Sequence, residues 1–258
     1  MKHIIDYSSG QKPFLRYRQN NDVFSLDLKG KLALIFSDQQ ICIGYKDEKE
    51  QYHRCPYGQV GINQCSFCKK RDVLNVYTDG DFTFYPELKE ILSKETYVLY
   101  LAQFGESITK VGISRKSRYT ERWIEQGADF ATIVAEFQGP DEIYKAEKYI
   151  SNNYNIKDRV RADQKLKVLE YDPKKAIENL NSKLQIILED KLLKDFIVNP
   201  NIHDLRTYYP KIEKYKLAQS IEGEVLGLKG QWLFFKNFEQ EIFALNLSKK
   251  IGTVIFED

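Results

Sequence analysis

All four cysteines of the 258-residue chain fall within 27 residues, spaced Cys42-x12-Cys55-x9-Cys65-x2-Cys68. A C-x-x-C turn aims two thiolates at one ion, and two more sulfurs from nearby loops complete the tetrahedral shell that Zn²⁺ favours. Four protein ligands leave no position for water, so the expected zinc is structural rather than catalytic. His53 is a substitute ligand if one sulfur points away. Redox C-x-x-C pairs sit where a strand meets a helix in a thioredoxin-like setting, which Gln64-Cys65-Ser66-Phe67-Cys68-Lys69 does not resemble. Lys69-Lys70-Arg71 follows directly and reads either as a solvated face or as a phosphate contact.

The second chemical feature is Glu147. Ile143, Ala146, Glu147 and Ile150 fall at i, i+3, i+4 and i+7, so the carboxylate shares an apolar helical stripe. That placement is costly unless the group pairs with a base or binds a cation. Arg122 is one candidate partner, which would make a structural salt bridge. In the functional alternative Glu147 holds Mg²⁺ or Mn²⁺, ions that take few protein ligands and complete their shell with water and substrate phosphate. Weaker candidates are the isolated His3 and His203, and Tyr208, Tyr209 and Trp232, which read as core aromatics or base-stacking platforms. Gly223-x3-Gly227-x2-Gly230 lies between strands and lacks the ending of a phosphate loop.

These residues need elements to hold them. Residues 22–45 carry strand patterns broken by the Lys29-Gly30-Lys31 turn, and residues 42–72 form the polar, cysteine-bearing segment. Residues 79–95 read as a connector containing Pro86. From Tyr97 the order becomes strand, strand, helix, strand, helix: 97–102, 108–113, 117–126 ended by Gly127, 131–137, and a helix opened by Pro140 that runs to about Asn153. A long amphipathic helix starts at Asp172-Pro173, repeats Ile177, Leu180, Leu184, Ile187 and Leu188, and is expected to end at Asn199-Pro200. Short strands return over 223–228, 231–235, 242–245 and 253–256. The reading is an α+β protein divided into 1–41, 42–72, 95–168, 169–222 and 223–258, its β-rich ends joining into one small β-module.

Composition bounds the functions. With 39 Lys+Arg against 37 Asp+Glu the formal charge is +2, which excludes a polybasic nucleic-acid coat. That balance is a sum of separated blocks: residues 110–122 carry a net +4, residues 157–167 a net +3, and residues 123–147 a net −5. Basic stretches holding Arg115, Lys116, Arg118, Arg159 and Arg161 thus flank the segment ending at Glu147, an arrangement suited to phosphate beside a metal site. No apolar run approaches the roughly 20 residues of a membrane span, and the start is not that of a signal peptide. With so few cysteines a reducing, cytoplasmic setting is expected.

Val98-Leu99-Tyr100, nine residues, then Lys110-Val111-Gly112 is similar to the paired strand motifs of the GIY-YIG nuclease superfamily. Arg122-Trp123 matches where that superfamily carries its phosphate-facing arginine, and Glu147 its metal-binding glutamate. The resemblance covers residues 97–155 and implies a ββαβα core with metal-dependent endonuclease activity, Tyr100 orienting or deprotonating the attacking water. One departure is Lys110, which stands where the second motif begins with tyrosine; an ammonium binds phosphate, or acts as a base if its pKa is depressed. Over most of its length the chain also resembles a zinc-ribbon-like, Cys-rich family with a GIY-YIG-like core. The residues are Leu99-Tyr100-Leu101-Ala102, Lys110-Val111-Gly112-Ile113, Arg122-Trp123-Ile124-Glu125-Gln126-Gly127-Ala128 and the late Gly227-Leu228-Lys229-Gly230-Gln231. Three functions stay open: a nucleic-acid-cutting enzyme, a non-catalytic RNA-binding protein acting on a partner such as the ribosome, or a protein-interaction module.

Overall fold

The computed structural model describes residues 1–256, without the Asp79 side chain. It is mixed α+β, with more strand than helix, and divides into two units. One runs over 89–213; the other comprises 1–88 and the chain from 214 on.

The 89–213 unit is built on β1 (Thr96–Phe104), which is buried along almost its whole length. A strand covered on both faces reads as a continuous apolar run instead of an alternating one, and Tyr97-Val98-Leu99-Tyr100-Leu101-Ala102 is such a run. It pairs antiparallel with β2 (Ile108–Arg115) and with β3 (Phe130–Gln138). A two-residue strand, β4 (His203–Asp204), completes the order β4-β3-β1-β2, so β2 is an edge. Between β2 and β3 lies α1 (Tyr119–Gln126), stopped by Gly127 in the left-handed region at φ 74°, whose N–H bonds back to the Ile124 carbonyl. After β3 comes α2 (Pro140–Asn153), and later α3 (Pro173–Leu188), N-capped by Asp172 through Lys174 N–H.

One sheet face packs Leu99, Leu101 and Val111 against Ile143 and Ile150 of α2 and Leu180, Leu184 and Ile187 of α3. The other packs Val98, Tyr100 and Ala102 against Trp123 and Ile124 of α1. Each fully buried side chain of this size stabilises by about 1.5–3 kcal/mol, so both helical layers are needed to hold the sheet.

Two expectations are corrected. The long helix ends at Leu188, not at Asn199-Pro200, because Asp190 turns the chain: its carboxylate accepts from Leu192 N–H and from the hydroxyls of Tyr149 and Tyr154. The chain then runs beside β3, where Val198 N–H bonds to the Val134 carbonyl at 3.0 Å. Residues 79–95 are not a plain connector, since Pro86–Ser93 is a helix that buries Leu88 and Leu92 at i, i+4 spacing.

In the other unit, strands from both ends of the chain lie in one nine-stranded sheet. Ile221–Lys229 pairs with Gly30–Phe36, and Val254–Phe256 lies between Gly30–Phe36 and Lys2–Ser8. Ile4, Leu15, Leu34, Ile221, Leu233 and Leu245 form its core. The cysteine segment adds the short helices Ser66–Arg71 and Val73–Asp79. No helix among the described residues is long and apolar enough to cross a membrane.

Candidate metal centre and a cluster at a sheet edge

The four sulfurs of Cys42, Cys55, Cys65 and Cys68 lie within 4.8 Å of one another and are positioned to bind a metal ion. Cys65 caps the Ser66–Arg71 helix, which brings Cys68 round one turn later, and Cys65 N–H points at the Cys42 sulfur, 3.3 Å away. Cys55 comes from a turn closed by Gly58 N–H. Its sulfur is 3.8 Å from that of Cys65. A disulfide needs about 2.05 Å. Around an ion with metal–sulfur bonds of about 2.3 Å, the edge of the tetrahedron is roughly 3.8 Å, so the spacing suits a tetrahedral thiolate ion.

The proton balance agrees with that geometry. Burial acts to raise the Cys55 thiol, but the N–H groups of Gln59 and Tyr57 and the thiols of Cys42 and Cys65 bring it down to about 6. Burial and the neighbouring thiols of Cys65, Cys42 and Cys55 push Cys68 well up. Four thiolates this close repel, and a dication is what lets all of them ionise.

His53 is not needed as a ligand: Nε2 bonds to Asp47 Oδ2 at 2.7 Å and the ring stacks on Tyr45. Arg71 lies over the Phe67 ring at 3.7 Å, so of the basic triplet Lys69 and Lys70 face solvent. Backbone approach behind the centre demands Gly44, at φ +86°, because a Cβ there would sit 1.8 Å from the His53 carbonyl oxygen.

The second site forms where β2 is an edge. Tyr100 and Gly112 are register partners, as are Ala102 and Lys110, so Tyr100, Lys110 and Gly112 share the sheet face that carries α1. A Cβ on Gly112 would lie 2.6 Å from the Tyr100 hydroxyl and 2.8 Å from Lys110 Nζ; only glycine leaves room for both groups. Glu147 comes from α2, on the opposite face. The chain after α2 pairs with β2 through Val111 N–H and the Lys157 carbonyl, 2.9 Å, which sets Asp158 beside the cluster.

Charges in this cluster act on one another. Burial lowers Lys110 to about 8, with Glu147 and Asp158 holding it up and Arg122 pressing it down. Burial raises Glu147, and Asp158 adds to the rise while Lys110 and Arg122 oppose it. Burial raises Tyr100 to about 12 against the pull of Arg122 and a hydrogen bond from Gln126.

The structural salt bridge does not form: the carboxylate nearest Arg122 is Glu125, at 3.8 Å, and Glu147 has no hydrogen bond or ion pair among the described residues. Lys110 Nζ makes one hydrogen bond, to the Val111 carbonyl at 2.9 Å. Tyr100, Lys110, Arg122 and Glu147, singled out from separate parts of the chain, therefore converge without neutralising each other in contact. Within that group Glu147 alone makes no hydrogen bond or ion pair among the described residues.

The basic residues fare differently. Arg115 lies 4.0 Å from Glu95, Lys116 2.7 Å from Glu136, Arg118 2.7 Å from Glu125 and Arg161 3.6 Å from Asp163. Arg159 is exposed. Of the weaker candidates, His3 bonds to the Ile41 carbonyl, Tyr209 and Trp232 are buried, and His203 lies 5.4 Å from the Trp123 ring.

Two members of the cluster were not anticipated. Asp158 carries no sequence signal, being one acid in a mixed-charge loop. Gln126 does: it follows Arg122 by four residues and so shares its helix face. Gln126 Nε2 donates to the Tyr100 hydroxyl at 2.8 Å, which leaves that hydroxyl's own proton to point elsewhere, while Gln126 Oε1 is buried without a partner among the described residues. Gln126→Met should therefore change stability by no more than about 1 kcal/mol in a urea melt, since the bond lost to Tyr100 is offset by removing an orphaned acceptor.

The chain belongs to the family described as Protein of unknown function (DUF2797), whose match runs over residues 30–255 and includes both sites. No curated protein and no solved structure matches it.

Proposed function

We propose that the protein acts on nucleic acid, holding structural zinc at its four cysteines and cutting phosphodiester bonds with a GIY-YIG-like domain formed by β1, β2, α1, β3 and α2. The observation that carries this reading is the convergence of Tyr100, Lys110, Arg122 and Glu147 from four different elements, with Glu147 left unpaired. The ββαβα order and the central position of β1 support the same reading.

The donor set suits a hard cation, because Glu147 and Asp158 present carboxylate oxygens whose charges act on each other. Mg²⁺ or Mn²⁺ bound at Glu147 would supply charge neutralisation for the phosphodiester. Arg122, exposed and 3.8 Å from Glu125, binds the phosphate oxygens in this reading. Lys110, neutral above about pH 8, takes the proton from the attacking water, the role left open by the missing tyrosine. Tyr100 keeps its proton until about pH 12 and serves as a hydrogen-bond donor.

The test is incubation with labelled DNA and RNA, with and without Mg²⁺ or Mn²⁺. Metal-dependent cutting is expected, reduced about a hundredfold or more by Glu147→Ala. Its rate should climb as pH passes through about 8, where Lys110 loses its proton, and should fall in acid as Glu147 protonates, above the ordinary value of 4.5. Lys110 also favours a second reading, non-catalytic binding of structured RNA on a partner such as the ribosome. Binding that weakens steeply with salt, cofractionation with ribosomes and no cutting in any metal would select it.

A further inference from the structure

We propose that Lys110 is an imine-forming nucleophile whose substrate is an aldehyde carried on a polynucleotide, the ring-opened deoxyribose of an abasic site. The proposal rests on the nucleic-acid reading for the identity of the aldehyde's carrier, and not on metal-dependent hydrolysis.

A lysine attacks a carbonyl only as the free amine, whose share near neutrality grows with burial and with the absence of a contacting carboxylate. Lys110 meets both conditions. It is half-buried, its one hydrogen bond among the described residues is to the Val111 carbonyl oxygen, and no carboxylate lies within ion-pair distance. Two lysines on neighbouring elements are held by contrast: Lys116 contacts Glu136 at 2.7 Å, and buried Lys165 donates to the Gln126 carbonyl at 2.7 Å. Burial and the nearby Arg122 guanidinium bring Lys110 to about 8 against the pull of Glu147 and Asp158.

Imine chemistry also needs a proton donor and acceptor beside the amine. The Tyr100 hydroxyl flanks the same point above Gly112 as Nζ does. Because that hydroxyl accepts from Gln126, its proton is available on the other side. Glu147, on α2, makes no hydrogen bond or ion pair among the described residues, so its carboxylate oxygens are open to accept a proton. Arg122 supplies a phosphate contact.

The step balances without an oxidant or reductant. The Lys110 amine adds to the sugar C1′ aldehyde, and the carbinolamine loses its hydroxyl as water, leaving an iminium. The C2′ proton passes to the Glu147 carboxylate, the C3′–O bond breaks, and the 3′ phosphate departs with the electron pair. Water then hydrolyses the iminium and returns the amine.

Cyanoborohydride trapping of the full-length protein on an oligonucleotide with one abasic site, in EDTA, tests the assignment. A covalent adduct mapping to Lys110 by mass spectrometry is expected, with yield rising as pH passes through about 8. Lys110→Arg and Lys110→Met, each checked for wild-type circular dichroism, should lower it at least about tenfold. An adduct absent, or spread over surface lysines and unchanged in both variants, overturns the proposal. Faster trapping of glyceraldehyde 3-phosphate than of the abasic oligonucleotide overturns the assigned substrate. Metal-dependent cutting is measured on undamaged nucleic acid and trapping in EDTA, so either activity can fail while the other stands.

Discussion

Replacing Cys68 by serine is expected to reduce bound zinc from about one ion per chain to almost none and to unravel the segment around it. Cys68 is fully buried, and the local core of that segment consists of Cys42, Cys65 and Cys68 with Tyr45, Cys55 and Phe67 packed on them. Little apolar area is therefore buried there besides the sulfurs, and a bound ion would stand in for a hydrophobic core. Structural zinc contributes about 10–16 kcal/mol of binding energy in small zinc-finger peptides, far more than those side chains could supply. A serine hydroxyl is a poor zinc ligand at neutral pH, and it leaves three thiolates to repel one another. The nine-stranded sheet has its own core in Ile4, Leu15, Leu233 and Leu245, so its transition should persist while a second one appears at lower temperature. Elemental analysis and a thermal melt with chelator check this together. Unchanged zinc content in Cys68→Ser would remove Cys68 from the ligand set, and freshly purified wild-type protein without zinc would sink the four-cysteine assignment.

The four-cysteine cluster was legible because cysteine is scarce in this chain and its spacing has few uses. The strand order from Tyr97 was legible for a similar reason: a run apolar on both faces, punctuated by Gly105, Gly127 and Pro140, admits few arrangements. What escaped depends on contacts between distant segments. Leu192, Leu193 and Ile197 continue the apolar pattern past Leu188, and only Tyr149 on α2 and Tyr154 just past its end reveal why Asp190 breaks the helix. The basic stretch from Arg115 to Arg118 looked open in sequence, yet Glu95, Glu136 and Glu125 lie against it. Glu147 was found by its helical stripe, but its lack of a partner was not readable, since spacing alone left both an Arg122 salt bridge and a bound cation open. The identity of Lys110 was plain, whereas its depressed pKa is a property of packing.

Gly112→Ala should silence the sheet-edge cluster while keeping every charged group that forms it. The added Cβ would sit 2.6 Å from both Cζ and the hydroxyl of Tyr100, where carbon atoms pack at about 3.5–4.0 Å. Lys110 can swing its amine away, but Tyr100 cannot retreat: it is fully buried, edge-on to Trp123 at 5.9 Å and bonded to Gln126. Overpacking at such a site costs about 1–3 kcal/mol, and the displaced phenol breaks the alignment of Tyr100 with Lys110. Cutting and imine trapping should then fall by more than the loss of folded protein explains. Tyr100→Leu in the same chain removes the atoms that collide, so the double variant should regain stability beyond the sum of the single changes without regaining activity. A Gly112→Ala protein as stable and as active as wild type would show that Tyr100 and Lys110 do not meet above this glycine. Rescue of stability alone would tie the glycine's role to the space it leaves between a phenol and an amine, a requirement that the Lys110-Val111-Gly112 run states in sequence and only the β1–β2 register explains.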